Sequence, residues 1–288
     1  MEKKRNRSKA ALVGFIVFLI LAAIAASLLI LQSVRQRKAN RNFEELKNLS
    51  AISVNTFDIA ALAGMNVNDD VVEPEQDVLS ARGIEIPQKN LDWDALHEEC
   101  EDIYAWIYVP DTNVDYPVLQ HPSNDSYYLN YNMDGSRGLP GCIYTEKFYT
   151  SKDFSDIHTV IYGHNLKDMT MFSTLHNFED EALLEEDHYI FIYTEDYTFV
   201  YQIFAAYEYS SIHLLANFDY TNEYVYAQFL KNIHNNDAPI VNVRQDIEVT
   251  TEDQIVTLST CTTGINYDEN MRFLVTGVLL NPRKGSES

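Results

Sequence analysis

The amino-acid sequence predicts a mixed, mainly β domain with the form of a β-barrel, preceded by one membrane-spanning helix. From residue 91 onward, the 288-residue chain alternates short runs rich in β-branched and aromatic residues with turn clusters. Nine such runs in under 200 residues are typical of a barrel or a sandwich. The few helical segments do not form a repeating βαβ pattern, which favours a mixed barrel.

The membrane-spanning helix is predicted from residues 10–31, which carry no charge and are interrupted only by Gly14 and Ser27. About 20 such residues are enough for a helix to cross a bilayer. Five basic residues precede the run and four follow it, so the positive-inside rule favours a cytoplasmic N-terminus by a small margin. Residues 1–9 are then a basic cytoplasmic tail.

The alternative for this segment is a cleaved signal peptide. Small residues around Ala23, Ala25 and Ala26 resemble a signal-peptidase site. The apolar run is longer than the usual central region of a signal peptide, about 7 to 15 residues, and this favours an uncleaved anchor.

The charge of the chain is strongly acidic outside its first 41 residues. Of 21 basic residues, nine lie in those 41 positions, and the rest of the chain carries 12 basic against 42 acidic residues. A surface of this sign repels phosphate polymers, so nucleic acid is excluded as a partner.

Residues 32–90 are predicted to be an extracellular stalk or linker, and residues 91–288 the globular domain. Low apolar density marks 64–90, which carries five acidic residues in 69–77. The predicted strands of the domain are 105–109, 114–119, 142–145, 159–162, 189–193, 198–207, 240–243, 254–260 and 272–280. The predicted helices are 92–102, 169–178 and 222–234, the last with Thr221 as its N-cap.

Cys261 is the first candidate for chemistry, because it stands at the end of the alternating strand 254–260. Thr262, Thr263 and Gly264 follow at once, so the strand stops and the thiol lies at an edge. The alternative is a buried, inert cysteine, which is the commonest role of a lone cysteine.

His164 and Arg272 occupy similar places on other predicted strands. His164 follows the apolar strand 160–162 and the breaker Gly163, where a histidine is able to accept the proton of a thiol. Arg272 opens a strongly apolar strand. If this strand returns beside the cysteine strand, its guanidinium can reach the surroundings of the thiol and stabilise a developing oxyanion. The alternatives are a solvent-exposed turn histidine and an arginine that protects a sheet edge.

No metal site or cofactor is predicted. The chain has three cysteines, Cys100, Cys142 and Cys261, an odd number that leaves at least one thiol free, and it contains no CxxC or HExxH pattern. Its acidic residues show no calcium-loop pattern.

The run 257–261, Thr-Leu-Ser-Thr-Cys, matches the TLxTC signature of the sortase transpeptidases. Three further segments resemble class B sortases: 106–120, 127–129 and 161–172. The likeness covers about residues 91–280, in the same order along the chain. It implies a closed β-barrel of about eight strands with N-terminal and peripheral helices.

The resemblance to class B sortases also implies a site and an activity. Cys261 is expected to be the nucleophile, His164 the general acid and base, and Arg272 the group that stabilises the oxyanion. The residues expected to line the substrate groove are Leu129, Tyr162 and Ser259. The enzyme would cleave a C-terminal sorting motif of the Asn-Pro-x-Thr type after Thr, through a thioester, and pass the product to a peptidoglycan amine on the outer face of a Gram-positive cell.

Other interpretations stay open on the sequence. They are a thiol peptidase that releases peptides to water, a pilin-polymerising sortase, and a non-catalytic membrane-tethered binding module. Asp268 and Asn165 are two candidates for a third group that orients His164. Met169, Ala105 and the pair Asn124-Asp125 depart from the class B pattern, and none of them is a predicted catalytic residue.

Overall fold

One mixed β-sheet closes on itself to form the barrel in this computed structural model, which describes residues 2–51, 78–235, 237–262 and 270–282. Its strands lie in the order β5-β1-β2-β3-β4-β8-β9-β6-β7, and β5 also pairs with β6. Their bounds are β1 Ile103–Tyr108, β2 Asp115–Leu119, β3 Ile143–Tyr144, β4 His158–Tyr162, β5 Tyr189–Tyr193, β6 Thr198–Ser210, β7 Val241–Val243, β8 Ile255–Cys261 and β9 Met271–Leu279.

The long strand β6 closes the barrel and also carries the ninth strand. Its first residues pair with β5, whereas residues 205–207 pair with β7, and the other edge of β6 lies along β9. Eight strands therefore form the closed barrel and β7 extends it. This confirms the predicted barrel of about eight strands.

Helices decorate the barrel at its ends and on its surface. They are α1 Glu2–Ala51, α2 Val78–Ala81, α3 Trp93–Glu99, α4 Tyr127–Asn130, α5 Glu181–Leu184, α6 Leu214–Asn217 and α7 Glu223–His234, with a 3-10 helix at Ser173–Glu179. Helix α7 covers one face of the sheet with Tyr226, Phe229 and Ile233, which are buried against Val160 and Phe204.

Two local predictions about helices are wrong. The N-cap of α7 is Asn222, whose side chain accepts hydrogen bonds from the N–H groups of Tyr224 and Val225, whereas the hydroxyl of Thr221 donates to Asp219. The predicted helix 169–178 is replaced by the shorter 3-10 helix. Met169 and Met171 have φ values of 61° and 57°, and this left-handed backbone cannot belong to a right-handed helix.

Helix α1 runs without a break from the apolar segment into residues of the predicted stalk. Its described side chains, residues 14–48, include a stretch that is long and apolar enough to cross a membrane. Further along, Ala39, Phe43 and Leu46 are buried, and the ring of Phe43 meets Tyr116 of β2 edge-to-face at 5.5 Å. The end of the long helix is thus packed on the barrel.

Candidate active site

The parallel strands β4 and β8 bring His164 and Cys261 to the same end of the barrel. Tyr162 pairs with Ser259 across these strands, and the N–H of Gly163 donates to the carbonyl of Ser259 at 3.1 Å. Because parallel strands end at the same edge of a sheet, the residues just beyond this pair lie together. A Cβ on Gly163 would come within 2.5 Å of Ile143, so the breaker seen in the sequence is also needed for packing.

Strand β9 returns antiparallel to β8 and places Arg272 directly opposite Cys261. One guanidinium nitrogen, Nη1, donates to the backbone carbonyl of Met271 at 2.8 Å. The pair Cys261 and Arg272 is the last one of the β8–β9 ladder, so the two side chains stand at the mouth of the barrel. The predicted strand-end cysteine, strand-end histidine and strand-start arginine are therefore brought together.

A backbone carbonyl holds the ring of His164. The Nε2–H group donates to the carbonyl oxygen of Leu129 at 2.7 Å. Since a carbonyl oxygen only accepts, the neutral ring carries its proton on Nε2 and keeps Nδ1 as its basic nitrogen. Gly141, at φ +67°, lies beside the ring: a Cβ there would come within 3.3 Å of His164 Cδ2 and 2.7 Å of the Tyr128 carbonyl.

Of the two side chains that the sequence suggests for orienting His164, only Asn165 lies among the described residues, and its amide is directed elsewhere. The amide of Asn165 donates to the carbonyl of Cys261 at 3.0 Å, and its nitrogen lies 3.1 Å from His176 Nε2. Asp268 lies outside the described residues. The carbonyl of Leu129 performs this task instead, and a residue's side-chain type carries no signal of such a contact.

All six residues predicted for the site line one cavity of about 310 Å³. Leu129 is 40% exposed at its rim, and Ser259 is buried in its wall. The cavity also has walls that the sequence reasoning missed, namely Ser126, Tyr144, Glu146, Gly163, Ser211, Ile212, His213, Leu214 and Thr260. Most of these missed residues belong to two places, the end of β3 and the loop between β6 and α6.

The carboxylate of Glu146 lines this cavity and connects the end of β3 with the loop between β6 and α6. Glu146, just after β3, lies beside Tyr162, and its Oε2 is 2.8 Å from His213 Nε2. Burial raises the pKa of Glu146, and the nearby imidazole of His213 offsets part of that rise. His213 Nδ1 accepts from the N–H of Ala216 and so caps α6. Tyr162, Glu146 and His213 therefore form neighbouring parts of the cavity wall.

The described side chains contain no group of three or more His, Cys, Asp or Glu residues able to hold a metal ion. Cys100, Cys142 and Cys261 are free thiols, and burial raises the pKa of Cys142 well above its usual range. A thiol, an imidazole and a guanidinium on one open cavity are the groups that nucleophilic acyl transfer requires.

Comparison with known proteins agrees with this geometry. Residues 107–280 match the family model described as the sortase domain. Sortase B of Listeria monocytogenes is 32% identical over 181 residues, which are 62% of this chain and 70% of that protein. The structure of Clostridium perfringens sortase B superposes with a TM-score of 0.56 at 27% identity, covering 66% of this chain and all of that one. A sortase B complexed with triglycine gives a TM-score of 0.56 at 28% identity, covering 66% and 85% of the two chains.

Proposed function

Because the chain belongs to the sortase family and is a cysteine transpeptidase of the sortase B type, we propose that it attaches secreted proteins to the cell wall from the outer face of the membrane. Cys261 is the nucleophile, His164 the general acid and base, and Arg272 the oxyanion stabiliser. The observation that carries this assignment is that the three side chains share one cavity with the predicted groove residues Leu129, Tyr162 and Ser259.

The first half of the reaction forms a thioester. His164 takes the thiol proton of Cys261 on Nδ1, while its Nε2–H stays bonded to the carbonyl of Leu129. The sulfur attacks the Thr carbonyl of the sorting motif, and the guanidinium of Arg272 meets the charge that develops on the oxygen. His164 then returns the proton to the departing amine as the peptide bond breaks.

The second half of the reaction transfers the acyl group. An acceptor amine attacks the thioester, gives its surplus proton to His164 Nδ1, and displaces the thiolate of Cys261. His164 then returns this proton to the sulfur, so the products are a new amide bond and the enzyme in its starting state. The relative complexed with triglycine supports an acceptor that offers a free amine, and a peptidoglycan cross-bridge amine is of this kind.

The substrate is a secreted protein with a C-terminal motif of the Asn-Pro-x-Thr type. A peptide of this sequence, incubated with the enzyme and triglycine, is expected to give a thioester at Cys261 by mass spectrometry and then a ligated product. Cys261→Ala is the control and forms neither. Release of the free acid at the same rate with and without triglycine would mean a thiol peptidase, and binding without any cleavage would mean a binding module.

The chain is anchored by residues 10–31, with residues 1–9 in the cytoplasm and residues 91–288 as the catalytic domain outside. The apolar part of α1 and the two basic clusters beside it support this arrangement. Deleting residues 1–31 should move the protein from the membrane to the soluble fraction without loss of peptide cleavage. A soluble full-length protein, or accessibility of residues 1–9 from outside intact cells, would contradict it.

A further inference from the structure

The backbone carbonyl of Cys261 is contacted by two side chains that the proposed reaction does not use. The amide of Asn165 donates to this oxygen at 3.0 Å, and His176 Nε2 lies 3.0 Å from it. The amide nitrogen of Asn165 is also 3.1 Å from His176 Nε2. The three groups therefore meet at the backbone of the residue that carries the thiol.

The ring of His176 is held on two further sides. Its Nδ1 lies 2.5 Å from Glu179 Oε1, and its face stacks on Phe273 of β9 with centroids 4.5 Å apart. The Cys261 carbonyl oxygen only accepts hydrogen bonds, so His176 contacts it through an Nε2–H, beside the Asn165 amide that donates to the same oxygen. His176 belongs to the 3-10 helix, and its ring connects this helix to β8 and β9.

The location of this contact matters because Cys261 ends its strand. Its pair with Arg272 is the last of the β8–β9 ladder, and the end of a ladder frays more readily than its middle. Side-chain bonds to the Cys261 carbonyl fix the peptide plane that follows the nucleophile. Asn165 adds a second constraint: as the neighbour of His164, it ties the backbone of the proposed base to that of the nucleophile.

We propose that Asn165 and His176 are positioning residues that hold the Cys261 backbone so that its thiol meets the substrate carbonyl and His164 in the geometry for attack. This inference rests on Cys261 being the nucleophile, as proposed above. A displacement of about 1 Å is enough to lower a rate by about 10²-fold. Losing one of two bonds to the carbonyl should therefore slow thioester formation without weakening the binding of the peptide.

Three variants separate positioning from a purely structural role. His176→Phe keeps a ring to stack on Phe273 and removes the Nε2–H donor, whereas His176→Gln keeps an amide donor of similar reach. His188→Phe is the matched control, because His188 is also buried, with 8% of its side chain exposed against 11% for His176. Its Nε2 likewise bonds a backbone carbonyl, that of Leu183 at 2.9 Å, and its ring meets Phe178.

The measurement is single-turnover thioester formation over a range of peptide concentrations, together with unfolding in urea. For His176→Phe, we expect the maximal rate to fall by about 10- to 100-fold with a half-saturating peptide concentration within about twofold of wild type. His176→Gln should recover most of the rate. His188→Phe should lose stability to a similar extent and acylate at the wild-type rate.

A substitution at Asn165 tests the second bond. Asn165→Asp has the same shape and places a carboxylate oxygen against the Cys261 carbonyl, so it should also slow acylation at saturating peptide. Combined with His176→Phe, the loss should be smaller than the product of the two single losses, because both residues act on one carbonyl.

Two results would overturn the inference: wild-type acylation in His176→Phe, or a Gln variant no better than the Phe variant. Equal slowing in His188→Phe would assign the loss to stability and overturn it as well. The proposed function fails in a different way, since wild-type enzyme would then form no thioester that Cys261→Ala abolishes.

Discussion

Two histidines at opposite ends of β4 show how position along one strand decides what an imidazole does. His158 opens the strand and is 2% exposed, with its Nε2 2.9 Å from the hydroxyl of Thr257 and its ring edge-on to Tyr220. Burial lowers the pKa of His158 to about 3. His164 follows the strand's other end and lines the cavity with Cys261.

Both histidines lie beside the same neighbouring strand, β8. They differ in how deeply they are buried and in which β8 side chain they meet. At the buried end β8 offers Thr257, whose hydroxyl also bonds Thr276, so the imidazole completes an internal polar contact. At the open end β8 offers the thiol of Cys261, and the imidazole bonds the backbone carbonyl of Leu129. The barrel interior therefore stabilises one histidine as a neutral packing group and leaves the other available for chemistry.

The largest expected effect is at the open end of the strand. His164→Ala should reduce transpeptidation by about 10²- to 10⁴-fold, because it removes the proposed acid and base. Its unfolding free energy should change by less than about 0.5 kcal/mol, since the side chain lies at a cavity rim. The rate is measured with a fluorescent sorting peptide and triglycine. A rate within tenfold of wild type would contradict the assignment.

Arg272 tests the other partner of Cys261 at this end. Arg272→Lys should lower the acylation rate by about 10²- to 10³-fold, because an ammonium lacks the fixed fork of donors that a guanidinium offers to an oxyanion. Arg272→Ala should be no better. Alkylation of Cys261 by iodoacetamide serves as a control for folding and access. Near wild-type acylation by the Lys variant would reduce the role of Arg272 to a positive charge.

The buried end predicts a pH effect on stability. The folded pKa of His158, about 3, lies below its ordinary value of 6.5. Between these values the unfolded chain binds a proton that the folded protein excludes, so this group lowers stability as the pH falls below 6.5, by up to about 1.4 kcal/mol per pH unit, and has no such effect above it.

His158→Phe removes the group that binds this proton in the unfolded chain and keeps an aromatic ring beside Tyr220. The free energy of unfolding in urea, measured from pH 7 to pH 4, should therefore fall less steeply in His158→Phe than in wild type. Parallel curves for His158→Phe and wild type would show that His158 is not the buried neutral group described here.

The smallest effect is expected in the loop that follows His164. Met169 has φ +61° and is 48% exposed, and a residue with a Cβ in this conformation costs about 1 to 2 kcal/mol relative to ordinary backbone. After the loss due to a more flexible unfolded chain, Met169→Gly should gain about 1 kcal/mol or less in unfolding free energy. Lys167→Gly, at a position outside the left-handed region, should lose stability instead. Destabilisation by Met169→Gly would mean that the side chain contributes packing.

The barrel and the candidate site at the ends of β4 and β8 were predictable because they depend on residue types in sequence order. Alternating strands mark the sheet, and the cysteine, histidine and arginine each stand where a strand ends or begins. The resemblance to class B sortases is confirmed by the family and structural matches. Even Met169, a departure from that pattern, has a physical reading, since it occupies a backbone conformation that favours glycine.

The contacts that refine the site were not predictable, for a common reason. The carbonyl of Leu129 that orients His164 belongs to the backbone, and any residue there would supply it. Glu146 and His213 are 67 positions apart and meet only because β3 and the loop after β6 border one cavity. Likewise, the sequence around His176 is that of a solvent-exposed turn histidine, and only the 3-10 helix brings its ring to the Cys261 carbonyl.

The contact between helix α1 and the loop after His164 gives an estimate of how far that loop lies from the bilayer. Gln36 and Asn40 of this helix both donate to Asp168, four residues after His164, at 3.1 Å. With residues 10–31 in the bilayer, as proposed, Gln36 lies only five residues beyond the hydrocarbon, or about 7.5 Å along the helix. The headgroup layer is itself about 5 to 7 Å thick. The enzyme would thus work at the lipid surface, with the loop that follows His164 next to the headgroups.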